Sequence, residues 1–323
     1  MTQSPPPAMP EQLRVGTRGS ALAMHQTEAI IAAMQPHAPG TRFAIETLVT
    51  HGDRFQAQPI TQMGEAVDKG IFNTALEEAL LADAVDVTTC SFKDVQSDLG
   101  AGLVAVSVCQ REDPRDVLVT RHGKPLAQLP QGAVLATSSP RRVSQLTAFR
   151  PDFRFVPLRG NVPTRVEREA QRFDGVILAA AGLHRLGLQG HITEYIGEEV
   201  LLPAPAQGAM GCEYRGADAA VANLVQAIQD AQTQTCVRAE KDLLVRLSGG
   251  CFAPVGVLAS ITGGRMRLHC RVAALDGSRV AEALEEGTAG DVQALIAAVH
   301  ERIAAQGGLE IVAAVRDHLQ SGG

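Results

Sequence analysis

Short apolar runs of strand length alternate with stretches of helical spacing over the first two thirds of the chain. Residues 43–50, 85–90, 103–108, 116–120, 153–158 and 176–180 read as strands, and 133–136 as a buried one. Between two of them, 71–82 sets Ile71, Ala75, Leu76, Ala79 and Leu80 on one helical face. Further helices are expected after Ser139-Pro140 and from Pro163, where a capping serine and a proline suit a helix start. Strands alternating with helices predict parallel or mixed sheets in α/β domains, and in such sheets ligands sit outside the carboxyl ends of the strands.

The rhythm changes in the last third. Two helical stretches, about 217–230 and 233–246, precede strand-like 255–261, 266–275 and 280–284. Turn signals at Thr262-Gly263-Gly264 and Asp276-Gly277 join these strands as hairpins, which predicts a small antiparallel sheet. Helical patterns near 290–305 and 308–319 would cover one of its faces, making a separate α+β domain. No internal sequence repeat is evident. The first ten residues are proline-rich and polar, predict disorder, and lack the apolar stretch of a signal peptide. No run approaches the length of a membrane span.

Composition narrows the partner. The chain has 323 residues, is 45% hydrophobic and 20% charged, and carries a net charge of −6. That length fits two or three domains with ample core. With no Trp, two Tyr and nine Phe, base stacking on aromatic platforms is not expected. An acidic chain is a poor binder of nucleic acid, which asks for a basic face. Yet arginines recur beside helix starts and expected strand ends: Arg14 and Arg18 in 14–20, Arg141 and Arg142 after Thr137-Ser138-Ser139, and Arg159 and Arg165 around Gly160. Backbone N–H groups, hydroxyls and guanidinium groups at such places bind carboxylate or phosphate, so a small or medium polyanion is the expected ligand. Surface ion pairing is the alternative, and it is preferred for Arg168 and Arg172, which share a helix with Glu167 and Glu169. There is no P-loop and no Gly-rich dinucleotide fingerprint.

Two further residues could carry chemistry. Asp94, beside Lys93 at a strand end, is either a cleft carboxylate that handles protons or an ordinary surface pair or cap. Cys251 follows Gly249-Gly250, where two glycines allow close approach to a ligand. It is either a nucleophile or covalent anchor, or a buried loop cysteine. The six cysteines are scattered without a C-x-x-C pair, so no metal site is expected, and reduced thiols in the cytoplasm are the expectation.

Taken together in chain order, eight motifs resemble the porphobilinogen deaminase (hydroxymethylbilane synthase) family. They are 17–23 (TRGSALA), 91–95 (SFKDV), 111–116 (REDPRD), 137–142 (TSSPRR), 158–162 (LRGNV), 181–186 (AGLHRL), 205–209 (PAQGA) and 249–251 (GGC). The resemblance runs from about Leu13 to the C-terminal region. It implies three domains: 11–111 with 208–228, then 112–207, both similar to periplasmic-type binding proteins around a cleft, then 229–323. It implies a transferase of tetrapyrrole and haem biosynthesis, acting as a cytoplasmic monomer. A dipyrromethane cofactor would be thioether-linked to Cys251, and four porphobilinogens would be added head to tail with loss of ammonia. By the same resemblance Asp94, Arg18, Arg159 and Arg165 serve catalysis. Ser20, Phe72, Ser91, Lys93, Thr137, Ser139, Arg141, Arg142, Gly160, Arg185 and Gln207 contact cofactor or substrate, and Lys69 belongs to a mobile lid. Two departures stand out: Cys90 where members usually have His, and a longer, more acidic lid sequence at 64–70.

Overall fold

The computed structural model describes residues 9–49, 74–96, 99–158, 160–248 and 253–320. Phe72, Lys69, Arg159 and Cys251 therefore lie outside the described residues, as does the 64–70 segment. The described residues form two compact units, one of residues up to 49, 74–111 and 209–234, the other of 112–208 and 235–320.

The first unit is built on a five-stranded sheet. Strands β1 (Gln12–Arg18), β2 (Arg42–Leu48) and β3 (Val87–Ser91) run parallel, and β4 (Leu103–Val108) stands at one edge. The gap between β3 and β4 is filled by β10 (Met210–Arg215), antiparallel to both and about a hundred residues further along the chain. Helix α1 (Ala21–Met34) and α2 (Thr74–Leu81) accompany this sheet. Leu13, Val15, Val87, Val108 and Cys212 alternate into a core with Ile30 and Met34 of α1, the period-two and helical patterns meeting face to face.

The second unit repeats that plan with different residues. Its sheet orders β7 (Arg154–Val156), β6 (Val134–Ala136), β8 (Gly175–Ala179), β5 (Asp116–Val119) and β9 (Glu194–Tyr195) side by side. β6, β7 and β8 are parallel, and β5 is antiparallel to β8. In both sheets the first parallel strand of the chain lies between the second and third, and a reversed strand follows. The repeat absent from the sequence is thus present in the topology. Helix α3 (Pro140–Phe149) follows β6, a short helical segment covers 162–172, and α4 (Ala180–Arg185) follows β8.

After β10 come α5 (Ala219–Ala227) and the long α6 (Ala231–Ser248). The antiparallel sheet expected in the last third is present: β11 (Val255–Thr262), β12 (Arg265–Ala273) and β13 (Val280–Thr288) in that order. Helices α7 (Val292–Ala305) and α8 (Gly308–Gln320) close one face of its core, where Met266, Leu268, Cys270 and Val272 meet Ile296, Val299 and Ile303. The other face of β12 carries Arg267, His269 and Arg271, which reach Glu198, Glu282 and the Gln145 side chain of α3. Gly277 closes the β12–β13 hairpin with φ +69°, and a Cβ there would stand 2.6 Å from the Ala148 nitrogen of α3.

Candidate active site

In the first unit, parallel β1 and β3 end side by side and deliver the expected residues to one edge. Arg18 is the last residue of β1 and Ser91 the last of β3. Ser20 caps α1, accepting from the Ala23 amide at 3.3 Å. After Ser91 the chain makes a 3-10 turn, Phe92–Asp94, which leaves Lys93 half-buried and Asp94 exposed. The turn is fixed from behind: the Phe92 ring fills the space over Gly211 that any side chain on β10 would need. Cys90, at the position of the first departure, is buried with its Sγ 3.9 Å from the Gly211 carbonyl oxygen.

Two residues at this edge escaped the sequence reading. Gln26 of α1 is buried and forms a reciprocal pair with the Ser91 hydroxyl, at 3.1 and 3.2 Å. Thr27 accompanies it: its hydroxyl lies 2.7 Å from Thr17 Oγ1 and 2.6 Å from Thr89 Oγ1, and donates to the Ala23 carbonyl at 2.8 Å. Its single proton is shared between Thr17 Oγ1 and the Ala23 carbonyl and its oxygen can accept from Thr89, so β1, β3 and α1 are joined beneath the strand ends. The available signal was two polar residues, Gln26-Thr27, at helical spacing with the apolar Ile30 and Met34 on the buried face of α1.

In the second unit the carboxyl ends of β6, β7 and β8 and the amino end of reversed β5 share one edge. Ser139 is the N-cap of α3 with Pro140 in the first turn, as the sequence predicts, although the Ser139 hydroxyl does not cap. Thr137 is buried and accepts from the Ser139 amide at 3.2 Å. Ser138 holds the two neighbouring loops together, donating to the Leu158 carbonyl and accepting from the Leu158 amide at 3.0 and 2.9 Å. Gly160 follows with φ +98°, a left-handed conformation suited to glycine. Asn161 caps the next helical turn, and Arg165 lies half-buried within it. Arg185 ends α4, and its Nη2 donates to the Gly208 carbonyl at 2.6 Å.

Arg141 and Arg142 depart from the outward-facing anion site expected of them. They are only 4% and 8% exposed, and both grip Asp116, the fully buried first residue of β5. Arg141 Nη1 donates to Asp116 Oδ2 at 2.7 Å, and Arg142 Nη2 and Nε donate to Oδ1 at 2.6 and 2.9 Å. Gln207 joins them, its Nε2 on Asp116 Oδ1 at 3.2 Å and on the Pro114 carbonyl at 2.8 Å. Burial alone would raise the Asp116 carboxyl, but the two guanidinium groups reverse it and hold it at about 2. Arg141 is shifted down, because burial outweighs a carboxylate it must share. The two directions agree once the stoichiometry is counted: one fully served anion, two half-served cations, and one positive charge left over behind the start of α3. Arg14, partly exposed, is also engaged by a carboxylate, forked onto Asp86 through Nε and Nη2 at 3.1 and 2.6 Å.

The donor set on both edges is cationic, hydroxyl-bearing and rich in backbone N–H groups, the chemistry that receives carboxylates. Among the described residues no helix is long and apolar enough to cross a membrane.

Comparison with known proteins agrees with that chemistry. The family profile described as "Porphobilinogen deaminase, dipyromethane cofactor binding domain" matches residues 13–223, and "Porphobilinogen deaminase, C-terminal domain" matches 234–305. A porphobilinogen deaminase from Pelotomaculum thermopropionicum is 40% identical over 309 residues, 95% of this chain and 98% of that protein. One from Roseiflexus castenholzii is 41% identical over 307 residues, 94% of this chain and 100% of that protein. One from Syntrophobacter fumaroxidans is 43% identical over 277 residues, 85% of this chain and 89% of that protein. With both domain profiles matched in order and relatives aligned along nearly their whole length, the chain belongs to the porphobilinogen deaminase family.

Proposed function

We propose that the chain condenses four porphobilinogen molecules head to tail, with loss of one ammonia at each addition, and releases hydroxymethylbilane by hydrolysis. It does so as a cytoplasmic monomer, with no nucleic acid or membrane as partner. The observation that carries this reading is the gathering of the family motifs at the carboxyl ends of parallel strands in both five-stranded sheets.

The resident cofactor of the family is a dipyrromethane, held in this chain through a thioether to Cys251; when bound, it supplies the nucleophilic pyrrole carbon to which each unit is added. The groups that would receive its carboxylates fit. Each porphobilinogen carries an acetate and a propionate, so every addition brings two more negative charges, and an acidic protein must meet them with local positive charge. Arg18 and Lys93 supply it on the first unit, with Ser20 and Ser91 adding neutral hydrogen-bond donors. On the second, Arg159, Arg165 and Arg185 do so, with Thr137, Ser139 and the Gly160 backbone adding neutral donors. Arg141 and Arg142 act from behind: the positive charge that Asp116 leaves unbalanced, with the N-terminus of α3, favours an anion at Thr137–Ser139. Gln207 keeps Asp116 in place.

Asp94 is given the proton work. Departure of ammonia from the incoming aminomethyl group leaves a cationic pyrrole, which an exposed carboxylate at the end of β3 stabilises through the pyrrole N–H. The proton lost after carbon–carbon bond formation has the same carboxylate to go to. By resemblance to the family, Arg18, Arg159 and Arg165 are assigned to the substrate carboxylates, Phe72 to substrate contact and Lys69 to the lid.

Intact-mass spectrometry of the purified protein tests the reading. A mass excess matching one dipyrromethane, located on Cys251 by peptide mapping, is expected. Active protein carrying an unmodified Cys251 would end it.

A further inference from the structure

The motif at 111–116 has no role in the reaction as described, apart from Asp116. Its first acidic residue, Glu112, is the first residue of the 112–208 segment of the second unit, and Gly208 is the last. The two ends touch. The Glu112 amide and Arg185 Nη2 donate to one acceptor, the Gly208 carbonyl oxygen, at 3.2 and 2.6 Å. Gly208 has φ +91°, and a Cβ there would overlap the Glu112 carbonyl oxygen, so the approach requires glycine. The Glu112 carboxylate is itself fixed. Its Oε1 accepts from the Asp113 amide at 2.9 Å and lies 3.1 Å from His184 Nδ1.

His184 immediately precedes Arg185 at the end of α4, and its other nitrogen, Nε2, is 2.8 Å from the Tyr195 hydroxyl. A neutral ring bearing its proton on Nδ1 satisfies both contacts, donating to Glu112 and accepting from Tyr195. Tyr195 is braced in turn by Arg115, whose guanidinium lies 4.5 Å from the ring centroid and grips Asp113 at 2.6 to 3.0 Å. The Glu112 carboxyl is held below its ordinary range, first by the Asp113 amide, against an opposing contribution from burial, and then by His184 and Arg185. The end of α4 is therefore clamped on one side by Glu112 and on the other by Tyr195.

We propose that Glu112, acting through His184 and the shared Gly208 carbonyl, is a positioning residue that sets the Arg185 guanidinium for a substrate carboxylate. This rests on the reading of Arg185 as a substrate-binding residue. It makes a prediction opposite in sign to simple electrostatics. Removing a negative charge beside a polyanionic ligand should tighten binding; loss of positioning loosens it.

The test uses the full-length holoenzyme. Glu112→Gln keeps size and backbone bonds while removing the charge, and is expected to raise KM for porphobilinogen on the order of fivefold with kcat nearly unchanged. Glu112→Asp should recover part of that loss. In an Arg185→Gln background, Glu112→Gln should add nothing further to KM. A lowered or unchanged KM for Glu112→Gln, or a fall in kcat and thermal stability alone, overturns the proposal. So does a full effect in the Arg185→Gln background. If Arg185→Gln itself leaves KM unchanged, the reading of Arg185 fails and takes the proposal with it. If Arg185→Gln raises KM while Glu112→Gln does not, the proposal alone fails.

Discussion

A fully buried carboxylate between two guanidinium groups makes Asp116 a strong local determinant of stability. Its folded pKa, about 2, lies below the ordinary aspartate value of 3.8, so its stabilisation is present above that ordinary value. It is lost as pH falls from about 4 through about 2, and amounts to on the order of 2 kcal/mol. Urea unfolding measured across that window should show this loss on top of the general acid response. Asp116→Asn removes the same dependence at once and strands two buried cations, which should destabilise the protein by about 3–5 kcal/mol. A variant within 1 kcal/mol of the parent by urea titration would show that Arg141 and Arg142 have another anion. The sequence could not show this pairing. Thr137–Arg142 is legible as a helix start rich in donors, but whether a guanidinium faces out or in depends on a carboxylate 25 positions away. Asp116 lay within a recognised motif, yet nothing in that motif tells a reader that it would be wholly enclosed. Gln26 was hidden for a similar reason, since its partner Ser91 is 65 positions away.

At the scale of elements, periodicity served well where an element is long and one-sided. The three strands of the last third and the helices after them were all expected, because alternation along β12 and the glycine turns mark them locally. Periodicity gave little for β9, only two residues long, and β10 was missed although Met210, Cys212 and Tyr214 alternate into the core, because the run is short and its Glu213 is buried as well. The role of those turn glycines was only partly legible. Asp276-Gly277 reads as a hairpin turn, which it is, but Gly277 also lies hard against the α3 backbone. Gly277→Ala is therefore strained twice, by its positive φ and by overlap with Ala148. It should cost about 1–3 kcal/mol, whereas a turn alone would cost about 1. Differential scanning calorimetry separates the two expectations. Gly263, with φ +57° and no atom within 4 Å of its would-be Cβ, is the control, and its alanine variant should show the smaller loss.

At the scale of the molecule, the α/β class and the separate C-terminal sheet follow from the sequence, but the likeness of the two five-stranded sheets does not. Their common strand order is carried by different residues: Val15-Gly16-Thr17-Arg18 ends one first strand, Val134-Leu135-Ala136 the other. A topology can recur without any position being shared, because a buried strand asks only for apolar residues of suitable shape. The C-terminal sheet and residues 112–208 belong to one compact unit, and their bonds explain why. Buried Glu240 of α6 accepts from the Ala206 and Ala259 amides at 2.6 and 2.7 Å, Val257 donates to the Pro203 carbonyl at 3.0 Å, and Arg271 reaches the Glu198 carbonyl at 3.1 Å. Native-state hydrogen exchange should find the slow amides of β8 and β12 opening together with one free energy. Clearly separate opening energies for the two strands would contradict that block.

The insertion of β10 between β3 and β4 has a consequence for how the protein is made. On the ribosome, β1 to β4 emerge long before the strand that joins β3 to β4, so the first sheet waits with a vacant slot next to its edge strand. Until residue 215 is out, two inner edges with unpaired amides and carbonyls are open to any passing strand. The intervening hundred residues close their own gap sooner, since β8, which joins β6 to β5, is out by residue 179 and β9 by residue 195. The nascent chain thus completes its middle before its beginning, and its hazard is greatest during that interval.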